Sequence, residues 1–149
     1  MNKLETIKSK ILDDKKLKQS LNIWRFHQKR IVFTNGVFDI LHLGHIDYLS
    51  KAKDQGDILI VGVNTDSSAK RLGKGSNRPF SDEISRSTII SSLSIVDAVV
   101  LFEEDTPYNL IKTVQPDVLV KGADYKAEDI VGYDIVMAKG GRIENIDFL

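Results

Sequence analysis

Cysteine is absent from the 149 residues, so no disulfide framework, thiolate nucleophile or Cys-ligated zinc can be built. A net charge is also missing. The 21 Lys and Arg offset the 21 Asp and Glu, leaving no global field to draw the chain to nucleic acid or an anionic membrane. Any polyanion must therefore be held by a local site. No apolar run approaches the roughly 18 residues of a membrane span, and the first stretch, "MNKLETIKSKILDDKKLKQ", is too charged for a secretory h-region. These absences predict a soluble, cytoplasmic protein whose chemistry comes from His, Lys, Arg, Asp or backbone groups. Histidine is scarce too, yet two of the three lie only three residues apart.

The length suits one domain with a single core. Leu4, Ile7, Ile11 and Leu12, then Leu17, Leu21 and Trp24, recur at three-to-four spacing and predict one or two amphipathic helices, an N-terminal extension over residues 1–28 that covers a sheet edge or a partner subunit. Residues 29–149 alternate β-rich runs, "RIVFTN" (30–35), "DILIVGVN" (57–64), "DAVVLF" (97–102), "DVLVKG" (117–122) and a weaker "RIENIDF" (142–148), with helical patterns at 44–55, 81–93 and 106–115. Thr106 is the expected N-cap of the last helix, with Pro107 at its first position. Continuous Val/Ile/Leu strands alternating with helices predict an α/β fold, a Rossmann-like parallel sheet of about five strands with helices on both faces. The irregular stretch "AKRLGKGSNRPFSD" (69–82), rich in Gly, Lys and Arg, lies beyond a strand end, where such sheets place ligands.

The first strand delivers the chain to Asn35 and Gly36, and "HLGHIDYLSKAK" reads as the start of a helix. Backbone N–H groups and a helix dipole hold phosphate in this geometry. Gly36 permits close backbone approach, and Gly44 removes bulk between His42 and His45, so that two imidazole N–H donors can meet one phosphate. The basic stretch supplies Lys70, Arg71, Lys74 and Arg78, with Arg86 at the start of the next helix. Lys74 and Arg78 are the expected phosphate contacts. Asp39 either caps the turn or touches ligand, and Asp66 is either a helix N-terminal carboxylate or a contact to acceptor hydroxyls. His27, without motif context, reads as an ordinary histidine.

"GVFDILHLGH" resembles the signature of the HIGH-motif nucleotidyltransferase superfamily through Gly36, Phe38, Asp39, His42, Gly44 and His45. The likeness extends over roughly residues 28–149. Together with "PDVLVKGADY", it is to the adenylyltransferase domains of bacterial ADP-heptose synthases. The resemblance implies transfer of AMP from ATP to a heptose 1-phosphate with release of pyrophosphate, for surface glycan synthesis. It gives His42 and His45 the role of stabilising the transition state at the α-phosphorus, with Lys74 as a third catalytic residue. It places Asn35, Gly36, Val37, Phe38, Asp39, Gly44, Lys121, Gly122 and Asp124 at the nucleotide, and Asp66, Arg78 and Arg86 at the substrate phosphate. Lys121 and Asp124 would sit near the base or ribose, a buried structural pair being the other account. Mg²⁺ is the expected cofactor, bridging triphosphate oxygens, with no protein metal ligands nominated. A homodimer and a separate upstream sugar kinase are the expected partners.

A sugar phosphate is already an anionic nucleophile, so positioning and charge stabilisation suffice without a general base. Domains of this kind continue past "DFL" into a Ser/Thr-rich segment that contacts the triphosphate, and usually have a second glycine where Ala123 stands. Two further readings remain: a CTP-dependent cytidylyltransferase for glycerol 3-phosphate or a similar phospho-alcohol, and a nucleotide-binding module without turnover.

Overall fold

Parallel neighbouring strands cannot be joined by hairpins and need crossover connections, and the chain is built that way. The computed structural model describes residues 1–73, 79–122 and 125–148. Two helices come first, α1 (Lys3–Lys8) and α2 (Asp14–Phe26). There follow β1 (Ile31–Gly36), α3 (Leu43–Lys53), β2 (Ile58–Asn64), α4 (Asp66–Arg71), α5 (Glu83–Ser91), β3 (Ala98–Phe102), α6 (Tyr108–Val114), β4 (Val118–Gly122), α7 (Tyr133–Lys139) and β5 (Arg142–Ile146). The five strands form one sheet in the order β3-β2-β1-β4-β5, every pairing parallel. The expected Rossmann-like sandwich is the observed one.

Alternate strand residues point to opposite faces and produce two cores. Ile31, Phe33, Ile60 and Leu119 pack with Leu17 and Leu21 of α2, Ile111 and Val114 of α6 and Val136 of α7. Val32, Leu59, Val61 and Val120 pack with Tyr48, Leu49 and Ala52 of α3 and Ile90 of α5. The first residues cover a sheet edge, one of the two roles expected of them. The Leu12 amide donates to the Val99 carbonyl at 2.8 Å and the Val99 amide to the Lys10 carbonyl at 2.9 Å, so Ile11 bridges the outer side of β3. Helix α2 does more than that, since Leu17 and Leu21 are fully buried in the first core.

Two helices were not expected from sequence. The short, polar α4 starts at Thr65, whose hydroxyl accepts from the Ser68 amide, so the stretch read as irregular from residue 69 opens inside a helix. Helix α7 is bracketed by Gly132 and Gly140, both at positive φ (93° and 85°). Helix α6 begins one residue later than expected, with Pro107 in the cap position, and Thr106 contributes only a long 3.4 Å acceptor to the Tyr108 amide. No helix among the described residues is long and apolar enough to cross a membrane.

Candidate active site

The sheet order reverses between β1 and β4, so the crossovers on either side leave in opposite directions and open a crevice at the strands' carboxyl ends. A cleft of about 1470 Å³ lies there. Its wall contains the end of β1 and the turn after it (Asn35, Gly36, Val37, Phe38 and Asp39), the start of α3 (His42 and His45) and the end of β4 (Lys121 and Gly122). Nine of the residues nominated from sequence are thus gathered at one place.

The turn is held in a sparsely populated conformation. Phe38 has φ 52°, a left-handed value that a non-glycine residue adopts at a cost, as is common at functional turns. Its ring folds over Gly36 so closely that a Cβ there would lie 2.9 Å from Phe38 Cε2. Beyond it, the two histidines cap α3 reciprocally. His42 Nδ1 accepts from the Gly44 amide at 3.0 Å, and His45 Nδ1 accepts from the His42 amide at 3.3 Å. With both Nδ1 atoms committed as acceptors, the neutral imidazoles carry their protons on Nε2 and keep those N–H groups as donors. The rings lie 4.1 Å apart, and burial, then the repulsion between the two imidazoles when protonated, lowers the His45 pKa from its ordinary range.

Asp39 pins the opposite rim: its carboxylate accepts from the amides of Phe80 at 2.8 Å and Ser81 at 2.9 Å. Capping of a loop is therefore the role the geometry gives it, although it also faces the cleft. Lys121 is drawn inward, its Nζ donating to Asn35 Oδ1, and burial pushes its ammonium down to about 8.

A cytidylyltransferase-like family model matches residues 33–144, three quarters of the chain. The chain belongs to that family. As a cytidylyltransferase-like protein it is a nucleotidyltransferase. It is 62% identical over 121 residues to the bifunctional protein HldE of Nitratiruptor sp., covering 81% of this chain and 25% of that one. To the HldE of Syntrophotalea carbinolica it is 50% identical over 141 residues, covering 95% of this chain and 29% of that one. It thus spans about a quarter of the length of these relatives. Among solved structures, the lipopolysaccharide core biosynthesis protein of Thermoplasma volcanium superposes with TM-score 0.65 at 35% identity, over 81% of this chain and 97% of that one. A pantoate-beta-alanine ligase from Francisella tularensis, at TM-score 0.62 and 18% identity over 92% of this chain and 66% of that one, shares the fold.

Several nominated residues are not on the cleft wall of this nucleotidyltransferase. Gly44 is buried in the first turn of α3. Arg86, expected at a substrate phosphate, is 1% exposed. Its guanidinium donates to the Ser81, Val37 and Asn64 carbonyls at 2.8–2.9 Å and to Asp66 Oδ1 at 2.8 Å. With these donors committed to protein acceptors, Arg86 has the geometry of a strut joining the β1 turn, the end of β2 and the loop before α5. Asp66, its partner, occupies the first turn of α4. Arg71 is likewise engaged, with Asp105 at 2.6 Å. Lys74, Arg78 and Asp124 lie outside the described residues.

The cleft also holds residues that sequence reasoning did not nominate. Tyr48 hydrogen-bonds Thr34 Oγ1 at 2.8 Å and donates to the Val120 carbonyl at 3.3 Å, its hydroxyl pushed up to about 12 by burial. Phe148 stacks on Tyr48 at 4.5 Å and meets His45 edge-on at 5.7 Å. Tyr48 follows His45 by three residues on α3, a spacing that could have flagged it. Phe148 carried no local signal. Among the described residues no group of three or more His, Asp or Glu is arranged to hold a metal. The cleft wall does offer single carboxylates, Asp39, Asp105 and Asp147, which suit an oxygen-liganded cation entering with a triphosphate.

Proposed function

We propose that this nucleotidyltransferase transfers AMP from ATP to a heptose 1-phosphate. The acceptor's phosphate oxygen attacks the α-phosphorus, the bond from that phosphorus to the β-bridging oxygen breaks, and pyrophosphate leaves. The observation that carries the reading is the reciprocal histidine cap at the start of α3, which occupies both Nδ1 atoms and leaves the Nε2–H groups of two cleft-lining histidines, at a helix N-terminus, available as donors. His42 and His45 would stabilise charge on the phosphoryl oxygens, the β1 turn would bring its backbone against the nucleotide, and Asp39 and Arg86 would hold that turn in place. Mg²⁺, bound by triphosphate oxygens and a cleft carboxylate, would neutralise charge on the leaving group.

The adenylyl donor and sugar acceptor are supported by the high identity to HldE proteins and by the likeness to a lipopolysaccharide core biosynthesis protein. A kinase must supply the phosphorylated sugar. The relatives are called bifunctional and are about three times as long, which leaves room for a second activity in their chains. A homodimer in the cytoplasm is the proposed working form, checked by light scattering. The deciding experiment measures pyrophosphate release with ATP or CTP crossed against heptose 1-phosphate or glycerol 3-phosphate. Release confined to ATP with heptose 1-phosphate is expected. Preference for CTP and glycerol 3-phosphate would replace this reading with a cytidylyltransferase, as the family's description keeps in view.

A further inference from the structure

The described residues that line the cleft include three carboxylates, Asp39, Asp105 and Asp147, and one side chain with a full positive charge, Lys121. A cleft that accepts phosphate esters would be expected to show the opposite balance. Two of the carboxylates are engaged, Asp39 by backbone amides and Asp105 by Arg71. Lys121 has no such compensation among the described residues. Among the described residues no carboxylate lies within ion-pair distance of it, and its one hydrogen-bond partner is the neutral side-chain oxygen of Asn35. Burial, with no counter-charge beside it among the described residues, pushes its ammonium down to about 8, the behaviour of a cation that loses hydration with little return. Its position is central, on β4 beside β1, where the strand order reverses.

We propose that Lys121 is a phosphate-binding residue of the cleft, its ammonium taking a phosphoryl oxygen of a bound substrate while Asn35 holds the side chain in register. This departs from a placement at the base or ribose, and it deepens the proposed nucleotidyl transfer, on which it rests. The anion has two possible sources, the nucleoside triphosphate and the acceptor's phosphomonoester. They share the same chemistry, and the test separates them.

The test compares the full chain with Lys121→Met, which keeps the stem and removes the charge. Binding of ATP, inorganic pyrophosphate and heptose 1-phosphate is titrated by calorimetry, and thermal stability is followed in parallel. Lys121→Met is expected to weaken one class of ligand by about tenfold or more while its melting temperature holds or rises. Weakening of ATP and pyrophosphate assigns the triphosphate. Weakening of heptose 1-phosphate alone assigns the acceptor. Affinities all within about twofold of wild type would overturn the proposal. So would a clear fall in melting temperature with every ligand weakened alike, which marks a structural ion pair. Should the wild-type chain not bind heptose 1-phosphate, the sugar assignment fails while the ATP and pyrophosphate arms still decide the role of Lys121.

Discussion

Each histidine at the start of α3 closes a backbone cap through Nδ1, and the proposed transfer gives its Nε2–H a second duty toward the substrate. His45→Ala is expected to lower turnover by about 10²-fold or more, the scale for removing a preorganised donor to transition-state charge. Near wild-type pyrophosphate release from a folded variant would remove it from the chemistry. The same residue has a stability signature. Its pKa is lowered in the folded state, so the unfolded chain takes up a proton near 6.5 while the folded one resists it, and stability falls as pH drops below that value. His45→Gln can keep the cap through its amide oxygen without titrating. Its melting temperature should fall less steeply than wild type between about pH 7.5 and about pH 5.5, and equal slopes would count against the argument. Arg86 makes the contrasting case. Arg86→Met strands the Val37 and Asn64 carbonyls, at about 1–3 kcal/mol each, and a loss of about 2–4 kcal/mol is expected in urea unfolding. A change below about 1 kcal/mol would refute the strut. The histidines were legible because their spacing on one helix start is local. Arg86 and Phe148 were not, because their roles depend on groups that only folding brings near: Val37 is 49 residues before Arg86, and Tyr48 is 100 before Phe148.

At the level of elements, continuous apolar runs announced β1 to β4, because a strand buried on two faces admits few polar residues, while the half-buried edge strand β5 gave the weaker signal. Boundaries shifted by a residue or two where capping rather than hydrophobicity sets the end. Helices α4 and α7 escaped notice because six or seven residues are too few to establish a 3.6-residue period; their ends are set by Thr65, Gly132 and Gly140. Helix α2 was legible as amphipathic, but its depth was not. Leu21 is 2% exposed in a core that reaches α6 and α7. Leu21→Ala should therefore cost about 2–5 kcal/mol in denaturant unfolding, as at a central core position. A cost under about 1 kcal/mol would mean that residues 1–28 are a detachable extension.

Across the whole molecule, the strand order is the feature that makes a site, and no stretch of sequence states it. Pairing of β1 with β4 brings Asn35 to Lys121 across 86 positions, and the return of the chain through β5 brings Phe148 back over α3. What sequence did state was that several strands end in polar, glycine-containing segments, which is enough to expect convergence but not its partners. The pairing of Lys10 and Leu12 with Val99 bears on a different property, behaviour in concentrated solution. Strand β3, "AVVLF", is an outer strand of high β-propensity, the kind of segment that recruits other chains when its backbone is bare. The first dozen residues are a guard on that rim. A chain lacking residues 1–12 should scatter light increasingly with concentration and time where the full chain stays clear, even while its cleft remains intact.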